Sequence, residues 1–361
     1  MTTSDKTLWP IEPHTRAKHE ILQRYLGAWF GILGQRIPHI LYIDGFCGPG
    51  RYSHGEDGSP LIALKVALGL QSRLASTKIS FLFIDERPDR IAHLQSELED
   101  LNIPSNYEVY TIVSSFYNTL SHILDDVEHK GARLVPTFAF IDPFGFKGAS
   151  FNLVQRLLKN PRTEVFVNVM MDSINRFLEH PNAGVRQHII DSFGTSRVLE
   201  VVQETDRIIA LRRLYFEQLK QHADYVRYFE MCNECDKTIY YLFFAGNHRL
   251  GHSKMKEAFW KVDDQSGYKF SDRTNPQQPI LFSLNPAEEL ASLLQAQYDG
   301  QTQKAGNIIH FVEDKTAFTA SHARGALRLL ERNSKITIDP IKGDGSKRRK
   351  GTFSAKVTVH F

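Results

Sequence analysis

Apolar residues fall in short blocks along the first half of this chain: HILYID (39–44), ISFLFID (79–85), YEVYTIV (107–113), TFAFID (137–142) and EVFVNVM (164–170). Stretches of helical period separate them. Near-continuous apolar strands alternating with helices predict a parallel sheet covered on both faces. Ahead of the first block, Ile21, Leu22, Tyr25, Leu26 and Trp29 recur at helical spacing, so an amphipathic helix precedes the first strand. After it, Ser59 suits the cap and Pro60 the first turn of a second helix. Further on, DYVRYFEM (224–231) and TIYYLFFA (238–245) flank the polar link CNECDK and predict an antiparallel hairpin closing one edge of the sheet. Residues 172–222 read as a helical insertion.

The composition shifts around NPQQP (275–279), and a smaller unit follows. Its pattern predicts a helix near 287–298, a short strand IIHFVE (308–313), a helix near 319–332, and two strands, ITIDPI and TFSAKVTVHF, joined by KGDGSKRRKG (342–351). That order matches a winged helix. The chain therefore divides into a Rossmann-like α/β domain over 1–275 and a winged-helix-like domain over 280–361.

Bulk properties add exclusions more than identity. With 361 residues and 42% apolar content the chain can bury a proper core, while 44 Lys and Arg against 41 Asp and Glu make any basic surface a local one. Cys47, Cys232 and Cys235 are too few and too unevenly placed for a disulfide framework, which fits a reducing cytoplasm. The N-terminus lacks a signal pattern, and no run approaches the roughly 18 apolar residues of a membrane span. A cytoplasmic protein is expected.

Chemistry concentrates at strand ends. In open α/β sheets ligands bind outside the carboxyl ends of the strands, where the strand order reverses. There, YIDGFCGPGRY (42–52) ends a strand in Asp44 and follows it with Gly45, Gly48 and Gly50, which let a ligand approach bare main chain. A dinucleotide fingerprint would enter its helix directly as G-x-G-x-x-G; here the helix start at Ser59 lies well beyond the glycines, which weakens that reading. FIDE (83–86) ends the second strand with Asp85 and Glu86, either of which can accept from ribose hydroxyls. FIDPFG (140–145) ends the fourth with Asp142, Pro143 and Phe144, a rigid turn whose carboxylate and carbonyl accept from an amine while Phe144 or Phe146 stacks on a planar acceptor. Each segment alone is also an ordinary strand-ending turn.

Taken together, HTRAKHEILQRYL, YIDGFCGPGRY with GSPLIAL, FIDE, FIDPFG and YYLFFAGNHRLGHSKMKEAFWKVD resemble the class I S-adenosylmethionine-dependent methyltransferases, and more closely the three-Cys-motif partner (TcmP) family. The resemblance covers most of residues 14–263. It implies a seven-stranded sheet with the hairpin at one edge and S-adenosylmethionine as cofactor. Asp44, Gly45, Gly48 and Gly50 would hold its methionine end, with Lys18 at its carboxylate and Phe46 among the cofactor-binding residues. Asp85 or Glu86 would meet the ribose, Ser114 would join the cofactor set, and Asp142, Pro143 and Phe144 would face the methyl acceptor. Relatives that methylate base amines carry Asp-Pro-Pro-aromatic. This chain has Phe144 and Gly145 at the last two positions, a departure from the base-amine pattern. The family's name describes a partner's cysteines and implies a cysteine-motif, radical-SAM-like partner protein.

Rival readings attach to several residues. Cys47 sits near a helix start, a setting that can activate a thiol. Cys232 and Cys235 would need His248 and His252 to complete a zinc site, so no metal is expected. The stretch 248–263 reads as a helix with Phe259 and Trp260 inward and lysines outward, or as a basic track for phosphates. In the winged unit, Arg324 and Arg328 share a helix face, and the hairpin carries Lys347, Arg348, Arg349 and Lys350, the electrostatic footprint of a DNA- or RNA-binding wing. The expected function is a methyltransferase on nucleic acid. The alternatives are a methyltransferase on a small molecule or protein, and a non-catalytic partner that binds nucleic acid or protein.

Overall fold

The computed structural model describes residues 6–272 and 285–361, so the NPQQP boundary lies outside the described residues. Two compact units emerge. One is drawn from the chain up to Ala258 together with a strand at Lys269, and the other from Phe259–Tyr268 and the C-terminal part.

The first unit opens with helix α1 (Pro13–Leu33) and strand β1 (His39–Asp44), followed by α2 (Ser59–Gly69), the short α3 (Gln71–Leu74), β2 (Lys78–Asp85), α4 (Pro88–Glu99), β3 (Tyr107–Val113), α5 (Phe116–His129), β4 (Thr137–Ile141), α6 (Phe151–Leu158) and β5 (Thr163–Val169). The insertion holds α7 (Met171–Phe177), α8 (Ala183–Phe193), a 3-10 segment (Ser196–Gln203) and α9 (Arg207–Lys220). The hairpin β6 (Tyr225–Cys232) and β7 (Thr238–Gly246), helix α10 (Arg249–Val262), whose residues from Phe259 on belong to the second unit, and the three-residue β8 (Lys269–Ser271) follow. Sheet order is β3-β2-β1-β4-β5-β7-β6-β8, with β1 to β5 parallel and β7 antiparallel to β5. This is the seven-strand arrangement expected, extended beyond the hairpin by β8, which runs parallel to β6.

Alternation sorts the apolar blocks by face. Tyr42, Phe81, Phe83, Phe138, Phe140 and Phe166 form one layer, into which α1 inserts Tyr25, Trp29 and Phe30; Tyr25 and Phe138 stand 5.1 Å apart. Ile43, Leu82, Ile84, Ala139, Ile141, Val165 and Val167 face the other way, against α5, α6 and the insertion. Each buried large side chain contributes about 1.5 to 3 kcal/mol, so both faces are strongly held.

The second unit runs α11 (Pro286–Tyr298), β9 (Thr302–Lys304), α12 (Ala305–Lys315), α13 (Ala320–Arg332), β10 (Thr337–Ile338) and β11 (Thr358–His360), with sheet order β10-β11-β9. One expectation is corrected here. IIHFVE is helical, lying within α12 and burying Ile308, Ile309 and Val312 on one side, while the strand is the polar TQK just before it. A six-residue apolar run has no decisive period, and packing against α13 settles it. The result is a winged helix with three helices, a small sheet and a hairpin wing. Among the described residues, no helix is long and apolar enough to cross a membrane.

At the base of the wing, Arg348 makes a two-pronged pair with Glu331 on α13, both bonds 2.8 Å, and lies over the Phe353 ring. The side chains are only 6% and 14% exposed. Removing one partner of a buried pair leaves an uncompensated charge. Glu331→Ala should therefore lower the opening free energy of α13 amides in native-state hydrogen exchange by about 3 kcal/mol, whereas unchanged exchange would show the pair to be incidental.

Candidate active site

Strands β1, β2 and β4 end side by side, and the glycine segment runs across them. Gly45 donates its N–H to the Phe140 carbonyl (2.9 Å) and Cys47 to that of Ile84 (2.9 Å), which ties the turn to the ends of β4 and β2. Gly48 and Gly50 have φ of 62° and 82°, left-handed values that other residues adopt only with strain. The Gly58 N–H closes the loop onto the Gly50 carbonyl (2.7 Å) just before α2.

Two buried carboxylates shape this turn. Asp85 Oδ2 accepts from the Gly48 N–H (3.1 Å) and lies 3.6 Å from Arg90, while Oδ1 accepts from the Arg87 N–H (2.9 Å). Glu86, its neighbour in sequence, is exposed. Asp44 accepts from the Phe46 N–H (3.3 Å) and from the Ser59 hydroxyl, yet burial prevails and raises its pKa to about 7. Ser114 donates its N–H to the Asp85 carbonyl (3.1 Å), joining the end of β3 to that of β2.

Beyond β4, Asp142 forms an ion pair through Oδ2 with Lys18 of α1 and accepts at Oδ1 from Asn168 Nδ2 of β5 (2.7 Å). The Lys18 side chain is 6% exposed and that of Asp142 20%. The Lys18 ammonium also lies 5.5 Å from the Tyr240 ring centre. His19 is buried beside this pair, and desolvation, with the Lys18 charge second, lowers its pKa to about 3, so it is neutral. Its Nδ1 and Asn168 Oδ1 are buried and have no hydrogen-bond partner among the described residues.

Aromatic groups wall the mouth. Phe144 is 58% exposed and meets Trp9 edge-on at 5.7 Å; the Arg90 guanidinium stacks over Trp9 (4.8 Å) and Phe144 (5.1 Å). Trp9 also meets Tyr52 at 5.7 Å and, through its carbonyl, accepts from the Ser53 N–H (3.0 Å). Phe146 is partly buried against the aliphatic core and Phe177, leaving Phe144 as the ring open to solvent. Gly145 follows Pro143 and Phe144 at φ 118°, a backbone conformation that disfavours a side chain at that position.

The strand ends thus bring together Lys18, Asp44, the glycine turn, Asp85 and Asp142. Trp9, His19, Tyr52, Arg90, Asn168 and Tyr240 were not anticipated. Of these only Asn168 carries a sequence signal, as the lone amide in an apolar strand. Cys47 is buried, and burial with the nearby Asp44 and Asp85 charges pushes its thiol well up, so it stays protonated. Cys232 is buried with its thiol raised to about 11, Cys235 is exposed, and among the described residues no cluster of three or more His, Cys, Asp or Glu could hold a metal ion. In the winged unit, Arg324, Arg328, Lys347, Arg349 and Lys350 are exposed, while Arg348 is engaged by Glu331.

Residues 269–343 match the family model described as GMT-like wHTH domain. No curated protein matches the chain. Solved structures similar to it include the O-methyltransferase from Bacillus cereus in complex with SAH (16% identity, 62% of this chain and 80% of that chain, TM-score 0.34). Others are protein LPL1258 from Legionella pneumophila, family-model DUF519 (13% identity, 65% and 85%, TM-score 0.38), and the cyclopropane synthase MmaA2 from Mycobacterium tuberculosis (11% identity, 66% and 69%, TM-score 0.29).

Burial of Asp44 predicts a pH signature. The folded carboxyl keeps its proton up to about pH 7, whereas an unfolded one loses it near pH 4. The group's stabilising contribution is complete below about pH 4 and disappears as pH rises through about 7. Urea midpoints should consequently fall more steeply between about pH 5 and pH 8 in the wild type than in Asp44→Asn; parallel curves would remove Asp44 as the cause.

Proposed function

We propose that this TcmP-like chain, a methyltransferase-type sheet unit joined to a GMT-like wHTH domain, is an S-adenosylmethionine-dependent methyltransferase acting on nucleic acid. The observation that carries the reading is the glycine turn pinned by Asp85 across the ends of β1, β2 and β4, at the point where the sheet order reverses.

The residues present suit that cofactor. Gly48 leaves room on its Cα face up to Trp9, whereas Gly50 packs against Leu94 and serves the turn, and Glu86 presents an exposed carboxylate to ribose hydroxyls. Asp85, already accepting from Gly48 and Arg87, shapes the turn instead. Lys18, with the unpartnered His19 Nδ1 and Asn168 Oδ1 nearby, supplies a cation and two orphaned polar atoms for an amino-acid terminus carrying both charges. When bound, the sulfonium supplies an already activated methyl group, so the protein's task is alignment and exclusion of water.

Asp142 is the residue placed to hold the acceptor. A carboxylate offers about four lone-pair sites, and Lys18 and Asn168 use two of them, so an amine can still be bound and oriented. Phe144 offers its exposed ring to a planar acceptor, and Trp9 with Tyr52 forms the neighbouring wall. Nucleic acid is favoured as substrate class because the winged unit sets Lys347, Arg349 and Lys350 on its hairpin and Arg324 and Arg328 on α13, all exposed. Arg348 serves the fold.

Radiolabelled methyl incorporation into DNA, RNA and protein tests the assignment. The wild type should label nucleic acid, and Asp142→Ala should lower the rate by at least about 100-fold with cofactor affinity retained. Cofactor binding with no transfer to any acceptor would overturn catalysis in favour of a binding role, and labelling of protein alone would overturn the substrate class. For the wing, neutralising Lys347, Arg349 and Lys350 should reduce the slope of log affinity against log salt by about 2 to 3 for duplex DNA. An unchanged slope would move the contact elsewhere.

A further inference from the structure

A cavity of about 470 Å³ lies at the opposite end of the strands from the glycine turn. It opens where β1 and β5 begin, whereas the turn follows the end of β1, six residues or ~20 Å further along the strand. Its volume is in the range of small-molecule sites.

The walls are apolar and the rim is cationic. Trp29, Ile32 and Leu33 of α1, Ile37 beyond it and Leu250 of α10 line the interior. Arg36, Arg162, His248 and Lys254 also line it, giving three permanent cations and one imidazole. Lys254 is paired with Glu257 (2.7 Å), whereas the exposed Arg36 and Arg162 guanidiniums have no carboxylate partner among the described residues. Arg162 is also held at φ 62°, a left-handed backbone that non-glycine residues adopt at a cost.

A polar group is built into the interior. Glu164, the second residue of β5, is buried and accepts from the Tyr25 hydroxyl (2.6 Å) and the Trp29 indole. Burial raises its pKa to about 7, so near neutrality it can offer either an acceptor or a donor. Gly251 makes the space: a Cβ there would stand 1.9 Å from Glu164 Oε1. An apolar slot with one buried carboxyl and unpaired guanidiniums at its edge is complementary to a flat ring that carries a polar edge and a compact anion.

We propose that this cavity binds a phosphate-bearing ring of nucleotide size, with the ring against Trp29 and Leu250, its polar edge toward Glu164, and the phosphate between Arg36 and Arg162. The same chemistry is offered by a free mononucleotide and by the 5′-phosphorylated end of a nucleic-acid strand. The assignment stands apart from the glycine turn and does not require methyl transfer.

Calorimetric titration of the full chain tests it, using adenosine and guanosine monophosphates, inorganic phosphate, and a short oligonucleotide with and without its 5′-phosphate. At least one ring phosphate should bind at one site per chain and at least 10-fold more tightly than inorganic phosphate. Arg36→Ala with Arg162→Ala, both exposed positions, should weaken that binding at least 10-fold while the thermal melt is retained. Leu33→Trp, which fills the cavity, should weaken it with both arginines intact. Tighter binding of the free nucleotide assigns a metabolite; tighter binding of the phosphorylated strand, lost with its phosphate, assigns a strand end. Either supports the site. Absence of ring-phosphate binding, indifference to the double arginine variant, or displacement by excess S-adenosylmethionine would each overturn it.

Discussion

One buried carboxylate holds the carboxyl ends of the strands in the sheet unit together. Asp85 accepts from the main chain of Gly48 on one side and Arg87 on the other, with Arg90 close to its outer oxygen. A burial this deep is tolerated only because main-chain donors and a cation replace the lost water. The arrangement carries the glycine turn across the strand ends, and Arg90 in turn organises Trp9 and Phe144. Shape at the mouth of the cleft is thus a consequence of one side chain's need for partners.

The same need recurs through the unit with different solutions. Asp142 is neutralised by Lys18 and steadied by Asn168, which joins α1, β4 and β5 at one point. Among the described residues Asp44 and Glu164 have no cation in contact, and burial moves the proton affinity of both toward neutrality. They mark the two ends of the strands: one under the glycine turn, the other inside the cavity beside α1. His19 Nδ1 has no hydrogen-bond partner among the described residues, and the ring stays neutral. Buried polar groups left in such states are where ligands add the most, since binding completes hydrogen bonds that folding left unmade.

In the winged unit, charge is divided between structure and surface. Arg348 is spent on Glu331 and Phe353, which fixes the base of the hairpin, and this anchoring holds Lys347, Arg349 and Lys350 out in solvent. A run of four basic residues therefore contains two roles, separable only by which guanidinium finds a carboxylate.

The sequence by itself determined the first seven strands, the insertion and the hairpin, because each apolar block is bounded by turn residues and alternates with a stretch of helical period; the three-residue β8 and β9 carry no such pattern. It also placed Asp44, Asp85 and Asp142 at strand ends, since a carboxylate closing an apolar run has little else to be. What it could not separate was Asp85 from Glu86: the pleat sends neighbours to opposite environments, and only the packed sheet decides which one is buried. IIHFVE was ambiguous for a related reason, being too short to declare a period until α13 lay against it. The Lys18–Asp142 pair, the Trp9 wall and the cavity around Glu164 join residues far apart in the chain. Tertiary structure alone decided them, because contact and burial depend on the fold while local pattern depends only on neighbours along the backbone.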